Sequence, residues 1–589
     1  MMRLYYTILQ ARKGRQGFKT ARAAILLPLA LFLCLACSGA RQEEPSLSIR
    51  VAARGEIEVI WTPPRPGGEA EGHVPDVRYS TAPLTAETWG QAPAVAPWTP
   101  VTVAGTVKLR SRLPRLAPVL HYVAAASPGA RPGISPVATV LPLRETVLHG
   151  RLGGDYFGHA VALVGDVNGD GYGDLLVGAP WSDEGMEAGR PRYARWARAL
   201  LRRVGVPLHG ARVGAAYLYP GGAGGPAPNP AWTLLGKVEG DALGSVVAGV
   251  GDLNGDGFAD FAIGIPGHDT RLRNEGAVAV YFGRPGPLPS EPDLFLVGRF
   301  RDESFGSAIA GGDFNGDGYA DLVIGAPGSY LGEVNAGAVF VYYGGPAGPA
   351  SRPETVLVGK TFDGLFGSAV AAVGDVNGDG YGDLLVGAYE GVADPRATGA
   401  AYLYYGGPRG LATAPALMLR GQGWGDQFGA ALAALGDVDG DGFADFAVGA
   451  PKNDEAGEDA GAVYVYHGGP RGPLSEPRTR LLGPGPGSQF GTTLAGIGDL
   501  DGDGHADLLV GAFAAGGAEE GAVFLYRGAA AGLGPRPALT LHGRHPGAHL
   551  GRGLAGGGDL DGDGRPDLAV GAEGDRSRGP QAGAVFLRY

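Results

Sequence analysis

The phrase GDVNGDGYGDLLVGAP, from Gly165 to Pro180, constrains this chain more than any other feature, because its acidic half returns six more times. The copies begin at Asp166, Asp252, Asp313, Asp375, Asp437, Asp499 and Asp559, at intervals of 86, 61, 62, 62, 62 and 60 residues. Self-similarity at one period is the signature of a repeat architecture. Each unit carries the same parts in the same order. An FG pair opens it (Phe157-Gly158, Phe305-Gly306, Phe366-Gly367, Phe428-Gly429, Phe490-Gly491), replaced by LG at Leu243-Gly244 and Leu550-Gly551. A small-residue strand, the acidic loop, a strand such as DLLVGAP, a variable loop, a third strand such as GAVFVYYG and a looser Leu-x-Gly segment follow.

Four short strands per unit of about 60 residues bury too little apolar surface to stand alone. A string of independent β-domains is therefore the poorer reading. The pattern predicts an all-β fold, a seven-bladed β-propeller with four antiparallel strands per blade. Gly and Ala in the first strands allow the inner strands to approach a common axis. The ends of the array predict how the ring closes. The last unit stops at GAVFLRY, its third strand, whereas ETVLHG (Glu145 to Gly150) precedes the first FG with no blade of its own. The segment is expected to complete the seventh blade.

Composition agrees. Glycine (108) and proline (46) are abundant, yet 44% of the 589 residues are hydrophobic, in short runs between glycine turns, as in a strand-rich fold. The formal charge of −12 argues against a nucleic-acid partner, which requires a basic face.

The acidic loop reads Asp-x-Asn/Asp-x-Asp-Gly-x-x-Asp. Side-chain oxygens at positions 1, 3, 5 and 9, with the carbonyl of position 7, make a hard-oxygen set of the kind calcium takes. The candidate ligands are Asp166, Asn168, Asp170, Tyr172 and Asp174 in the first loop; Asp252, Asn254, Asp256, Phe258 and Asp260 in the second; Asp313, Asn315, Asp317, Tyr319 and Asp321 in the third. Asp375, Asn377, Asp379, Tyr381 and Asp383 follow, then Asp437, Asp439, Asp441, Phe443 and Asp445. The last two sets are Asp499, Asp501, Asp503, His505 and Asp507, and Asp559, Asp561, Asp563, Arg565 and Asp567. Gly171 permits the sharp turn, and Val177 stands where an EF-hand has its twelfth-position Glu. The competing reading is a set of Asx turns that favour Asp, Asn and Gly without metal; seven repetitions of one ligand pattern favour up to seven Ca²⁺ ions, one per blade. Magnesium, which keeps more water, fits less well.

The FG, DxNGDGxxD and GAP elements over about residues 145–589 resemble the FG-GAP repeats of the integrin α-subunit head, a seven-bladed propeller. Strand alternation puts the acidic loops on one face and the loops after GAP on the other. The resemblance implies that this second face meets ligand. Its loops carry Asp183, Glu184, Glu333, Asp454, Glu455, Glu519 and Glu520, which solvation alone also explains. The first blade's insertion, PRYARWARALLRRVGV (Pro191 to Val206), has Tyr193, Trp196, Leu200 and Val204 at helical spacing and Arg192, Arg195, Arg198, Arg202 and Arg203 mostly elsewhere. It reads as a cap over the channel or as a docking element for an acidic partner or membrane headgroups.

The N-terminus reads as a signal peptide, residues 1–36, with a basic stretch and an apolar run from Ala23 to Ala36 too short to span a bilayer. Leu35-Ala36-Cys37 resembles the end of a bacterial lipobox, with Cys34 where that motif prefers Leu, and implies lipidation at Cys37. An ordinary cleaved signal and a retained anchor are the alternatives. Cleavage before Cys37 would leave a single, acylated cysteine and hence no disulfide, so an exported protein of this kind needs another staple. Residues 37–45 read as a tether and 46–143 as a module resembling fibronectin type III, with Trp61 on an early core strand and Tyr122 at the tyrosine corner. The propeller then occupies 144–589.

These parts make a calcium-stabilised, surface-anchored binding or adhesion protein the leading reading: a bacterial outer-membrane or cell-surface lipoprotein, otherwise secreted. Its partner would be an extracellular protein or glycan. The alternative is a hydrolase or lyase acting on an extracellular polymer, since propellers host such enzymes. Against it, no GxSxG element occurs, the densest carboxylates belong to the acidic loops, and His159, His505 and His549 fall at different phases of the repeat.

Overall fold

A computed structural model describes residues 145–184, 212–389 and 397–588, together with the backbone of seven strands between Ser46 and Val140. The signal, tether and Cys37, and the arginine-rich stretch 191–206, lie outside the described residues. Two compact units divide along the chain between Pro142 and Leu143.

In the first unit, strands Ser46–Ala52, Glu56–Thr62, Thr106–Arg112 and Thr99–Val103 pair antiparallel in that order. Asp76–Ser80, His121–Ala126 and Ala138–Val140 form a second sheet. This partition matches the constant-type immunoglobulin sandwich, whose fourth strand joins the sheet of the fifth. Trp61 falls on the second strand and Tyr122 near the start of the sixth.

The second unit is the seven-bladed propeller. Blade one consists of Ala160–Gly165, Asp174–Ala179, Ala215–Tyr219 and Trp232–Leu235, paired antiparallel in sequence order from axis to rim. Blades two to six repeat this order. In blade seven, Leu550–Gly556, Leu568–Ala572 and Ala584–Arg588 are completed by Glu145–His149, which pairs from Arg588↔Glu145 to Ala584↔His149. The first strands of successive blades are neighbours, and that of blade seven neighbours that of blade one, so the ring is closed.

The hydrophobic patterns explain which strand goes where. Second strands such as DLLVGA are buried at every position, because each is covered on both sheet faces by adjacent blades. Fourth strands such as LMLR are partly exposed and alternate. Gly178 shows why the GAP glycine recurs: a Cβ there would lie 2.0 Å from the Gly244 carbonyl oxygen of blade two. The FG phenylalanines fill the gaps between blades. Phe157, Phe305, Phe366, Phe428 and Phe490 are buried and meet third-strand aromatics edge-on, as Phe366 does Tyr402 at 5.5 Å. Six hydrophobic clusters result, at junctions 7/1, 1/2, 2/3, 3/4, 4/5 and 5/6. Where blade two has Leu243 instead of Phe, Trp232 of blade one fills the space, 4.8 Å from the Tyr281 ring.

Candidate functional site: the acidic loops and the opposite face

Each acidic loop joins the first strand to the second, and its side chains fold its own backbone. Asp166 accepts the N–H groups of Gly169 (2.6 Å) and Asp170 (3.1 Å) on Oδ1 and of Gly171 (2.7 Å) on Oδ2. Asn168 Oδ1 accepts the Asp170 N–H and Asp170 Oδ1 that of Tyr172. The loops from Asp252, Asp375, Asp437 and Asp559 repeat the ladder. Asp499 accepts all three first-position bonds, from Gly502, Asp503 and Gly504, and Asp313 accepts those from Gly316 and Gly318. The Asx-turn geometry weighed against metal binding is therefore present, and it gathers the oxygens of positions 1, 3 and 5 on one side. In the three all-Asp loops these oxygens lie within 4.8 Å of one another: Asp437, Asp439 and Asp441; Asp499, Asp501 and Asp503; Asp559, Asp561 and Asp563.

The ninth-position aspartates have a second task. Asp174, Asp260, Asp321, Asp383, Asp445, Asp507 and Asp567 are buried at the start of the second strand. One oxygen of each accepts the N–H of motif position 2, as from Val167 at 3.1 Å. In blades one to six the other accepts the N–H of the glycine after the third strand, as from Gly221 at 3.0 Å. Burial pushes these carboxyls up, opposed by the backbone donors and reinforced by neighbouring carboxylates, to about 7 at Asp174 and about 8 at Asp567. Each bonded carboxylate oxygen keeps lone-pair capacity for a further partner. An all-oxygen set whose converging carboxylates are driven toward protonation is one that a divalent cation relieves, so the residues fit calcium.

Position 7 links neighbouring loops. Its N–H donates to position 5, while in every blade but the seventh its side chain covers the fourth-position glycine of the preceding blade. A Cβ on Gly169 would stand 2.4 Å from the Phe258 ring; the same relation joins Gly255 to Tyr319, Gly316 to Tyr381, Gly378 to Phe443, Gly440 to His505 and Gly562 to Tyr172.

Two residues escaped the sequence reading. His467 Nδ1 lies 2.6 Å from Asp439 Oδ2, and Arg527 Nη1 lies 3.0 Å from Asp501 Oδ2. Both directly follow a third strand. Where motif position 3 is Asn, the corresponding residues are Pro220, Phe282, Tyr343 and Tyr405; in these two blades, where it is Asp, they are basic. That pairing, in two of the three blades with Asp at position 3, was the available signal; blade seven has Tyr589 at the corresponding place.

The opposite face holds the loops after GAP and the turns into FG. Histidines that looked unrelated in sequence meet there: His159 Nδ1 is 2.6 Å from Glu573 Oε2, and His549 Nδ1 is 3.4 Å from Glu573 Oε1. His549 Nε2 also faces Glu519 at 3.4 Å, and Arg552 lies 3.7 Å from Glu573. The network ties blades six, seven and one. Burial alone would raise the Glu573 carboxyl; hydrogen bonds from His159 and His549, with the Arg552 charge, overcome it and hold the group at about 2. The Glu573 hydrogen bond raises His549. Glu573 thus stabilises the fold fully above its ordinary 4.5, and this contribution is lost as pH falls toward 2. The His549 contribution is present below its ordinary 6.5 and is lost as pH rises through the raised value. Glu573→Gln is expected to cost about 1.5–3 kcal/mol near pH 6. Denaturant titrations of both proteins at pH 6 and pH 3 check this; a gap that does not shrink at pH 3 would contradict it.

The acids expected to face a partner are mostly engaged internally. Glu184 binds Arg151 and the Tyr217 hydroxyl, Glu455 pairs with Arg480, Asp454 accepts the Asp459 N–H and Glu520 that of Ala518. Asp183 is buried, and Glu333 is exposed. The same face instead exposes apolar side chains at blades three to five: Tyr330, Leu331, Val334, Phe362 and Trp424, the last 72% exposed.

Comparison with known proteins places this geometry. A family model described as FG-GAP repeat matches residues 157–191, 243–281, 305–342, 366–404 and 428–466, and one described as FG-GAP-like repeat matches 499–570. The chain is 37% identical over 223 residues to integrin alpha-5 of Xenopus laevis, covering 36% of this chain and 20% of that protein. It is 39% identical over 238 residues to integrin alpha-IIb of Homo sapiens, covering 38% and 21%. Integrin alpha-4 of Xenopus laevis is 31% identical over 281 residues, covering 46% and 25%. The match spans about a fifth to a quarter of these relatives' length.

Proposed function

We propose that this integrin-like FG-GAP propeller is a calcium-stabilised binding or adhesion module, carried at the cell surface by a lipid on Cys37. It offers the face opposite its acidic loops to an extracellular protein or glycan. The observation that carries the reading is the contrast between faces. On one, seven loops of a single design spend their polar groups on their own backbone and, in this reading, on metal. On the other, loops of differing length leave Tyr330, Leu331, Val334, Phe362 and Trp424 exposed on a rigid ring. Large apolar side chains exposed on one face support an interaction surface there. The similarity to integrin α chains supports the same class of role.

The test is a binding screen of the full chain against surface-protein extracts and glycan arrays, with and without chelator. Phe362→Ser combined with Trp424→Ser is expected to abolish capture of whatever partner is found while leaving the melting temperature unchanged. Undiminished capture by that variant would move the partner surface elsewhere. Acylation of Cys37 is checked separately, by mass spectrometry of the membrane fraction.

A further inference from the structure

The junction between blades six and seven is built differently from the other six. None of the six hydrophobic clusters is centred there. Leu550 stands where five blades have the FG phenylalanine, and Arg588 stands where Tyr219, Tyr281, Tyr342, Tyr404, Tyr466 and Tyr526 end the other third strands. At Leu243 a neighbouring tryptophan fills the deficit; at Leu550 a cavity of about 80 Å³ is left, walled by Leu541, Leu550, Val570, Ala572 and Phe586. The loops above it are also less tightly joined. The Asp437 carbonyl accepts the Ala506 N–H at the 5/6 junction (2.8 Å), but the residue that would donate to Asp499 is Pro566, which has no N–H. Nothing lies within 4 Å of a Cβ built on Gly502, whereas at Gly440 the His505 ring does.

The lining of the slot carries two arginines, Arg544 and Arg588, and two carboxylates, Glu145 and Asp575. Arg544 and Arg588 both bind one carboxylate, Glu145, Arg588 at 3.5 Å. Asp575, the other lining carboxylate, is buried, accepts the Ser577 N–H at 2.8 Å and faces His545 at 3.9 Å. His542 also lines the slot. A guanidinium has five N–H donors, so both arginines have donors beyond those that Glu145 takes. Arg544 lies over the Phe586 ring at 4.8 Å and is 55% exposed.

The protein itself supplies a mould for what fits. At the preceding junction the Phe490 ring packs against Phe524 at 5.3 Å and Tyr526 at 6.3 Å, the residues that correspond to Phe586 and Arg588. We infer that the slot between blades six and seven binds a small aromatic carboxylate, its ring in the place of the missing FG phenylalanine and its carboxylate on Arg544 and Arg588. A closed apolar cavity of about 150 Å³ holds benzene. This slot is smaller but open at its arginine end, so the ring enters against Phe586 while the carboxylate stays at the mouth. The site is independent of the binding face proposed above.

Phenylacetate titrated into the full chain, followed by fluorescence-detected melting and by saturation-transfer NMR, tests the assignment. Saturable binding is expected. Leu550→Phe, which installs the residue used in five other blades, is expected to weaken phenylacetate at least tenfold and to raise the melting temperature without ligand. Arg588→Gln is expected to weaken phenylacetate about tenfold while leaving neutral phenylacetamide unchanged, a result that blocking of the slot by misfolding would not give. No saturable binding to the native chain, or Leu550→Phe binding as well as the native chain, overturns the inference. So does equal loss of the acid and the amide in Arg588→Gln.

Discussion

Removal of divalent cations from the full chain is expected to destabilise the propeller by about 3–10 kcal/mol. The figure follows from the loops. Extracellular calcium modules bind at about 10⁻⁴–10⁻³ M, and at roughly 1 mM free calcium a site that exists only in the folded state gains about 0.4–1.4 kcal/mol. Seven loops of one design multiply that gain to the size of a domain's entire net stability. The structure supplies the mechanism of the loss. Without a cation, the oxygens of Asp437, Asp439 and Asp441, and of the corresponding residues in the next two loops, converge within 4.8 Å. The buried ninth-position carboxyls are then pushed toward protonation. The loops from Asp437 and Asp499 are expected to suffer least, because the Arg527 charge already meets Asp501 and His467 Nδ1 already contacts Asp439. Calorimetric scans with 1 mM calcium and with excess chelator decide the matter. Superimposable transitions would leave the acidic loops as self-bonded Asx turns and nothing more.

The ring and its closure could be read from the sequence because they are questions of phase. Seven copies set the number of blades, and one orphan segment, Glu145 to Gly150, matched one missing strand. The acidic loops were legible for the same reason. What escaped depends on neighbours that phase does not reveal. The ninth-position aspartates looked like ligands alone; their burial against the glycine after the third strand, as Asp174 against Gly221, follows only from the pairing of three strands. Glu573 gathers His159 from 414 residues away because the ring brings its ends together, so histidines at unrelated phases become partners. The two LG variants looked equivalent in sequence. They differ because Trp232 reaches the space beside Leu243, whereas the space beside Leu550 stays open.

Deleting Glu145 to Gly150 is expected to open the ring. The strand Glu145–His149 pairs along the whole length of Ala584–Arg588, and the Gly150 N–H adds a bond to the Gly583 carbonyl at 3.0 Å. Leu148 is buried in the cluster that joins blades seven and one, together with Phe157 and Leu587. Glu145 is the carboxylate shared by Arg544 and Arg588, so its removal leaves two guanidiniums facing each other at the seam. Loss of the Leu148 side chain alone costs about 2–5 kcal/mol, and each backbone bond given up adds roughly 0.5–1.5 kcal/mol. The third strand Ala584–Arg588 then becomes an edge with unpaired N–H and C=O groups, an invitation to pair with another chain. The deletion variant should therefore both melt earlier and form oligomers in size-exclusion chromatography. A synthetic ETVLHG peptide added in trans should restore part of the lost stability, because it supplies the same strand without the covalent link. That rescue separates strand closure from simple damage to the segment that leads into the propeller. A deletion variant that stays monomeric and melts with the intact chain would mean that blade seven holds with three strands, and that closure of the ring rests on the contacts between the first strands alone.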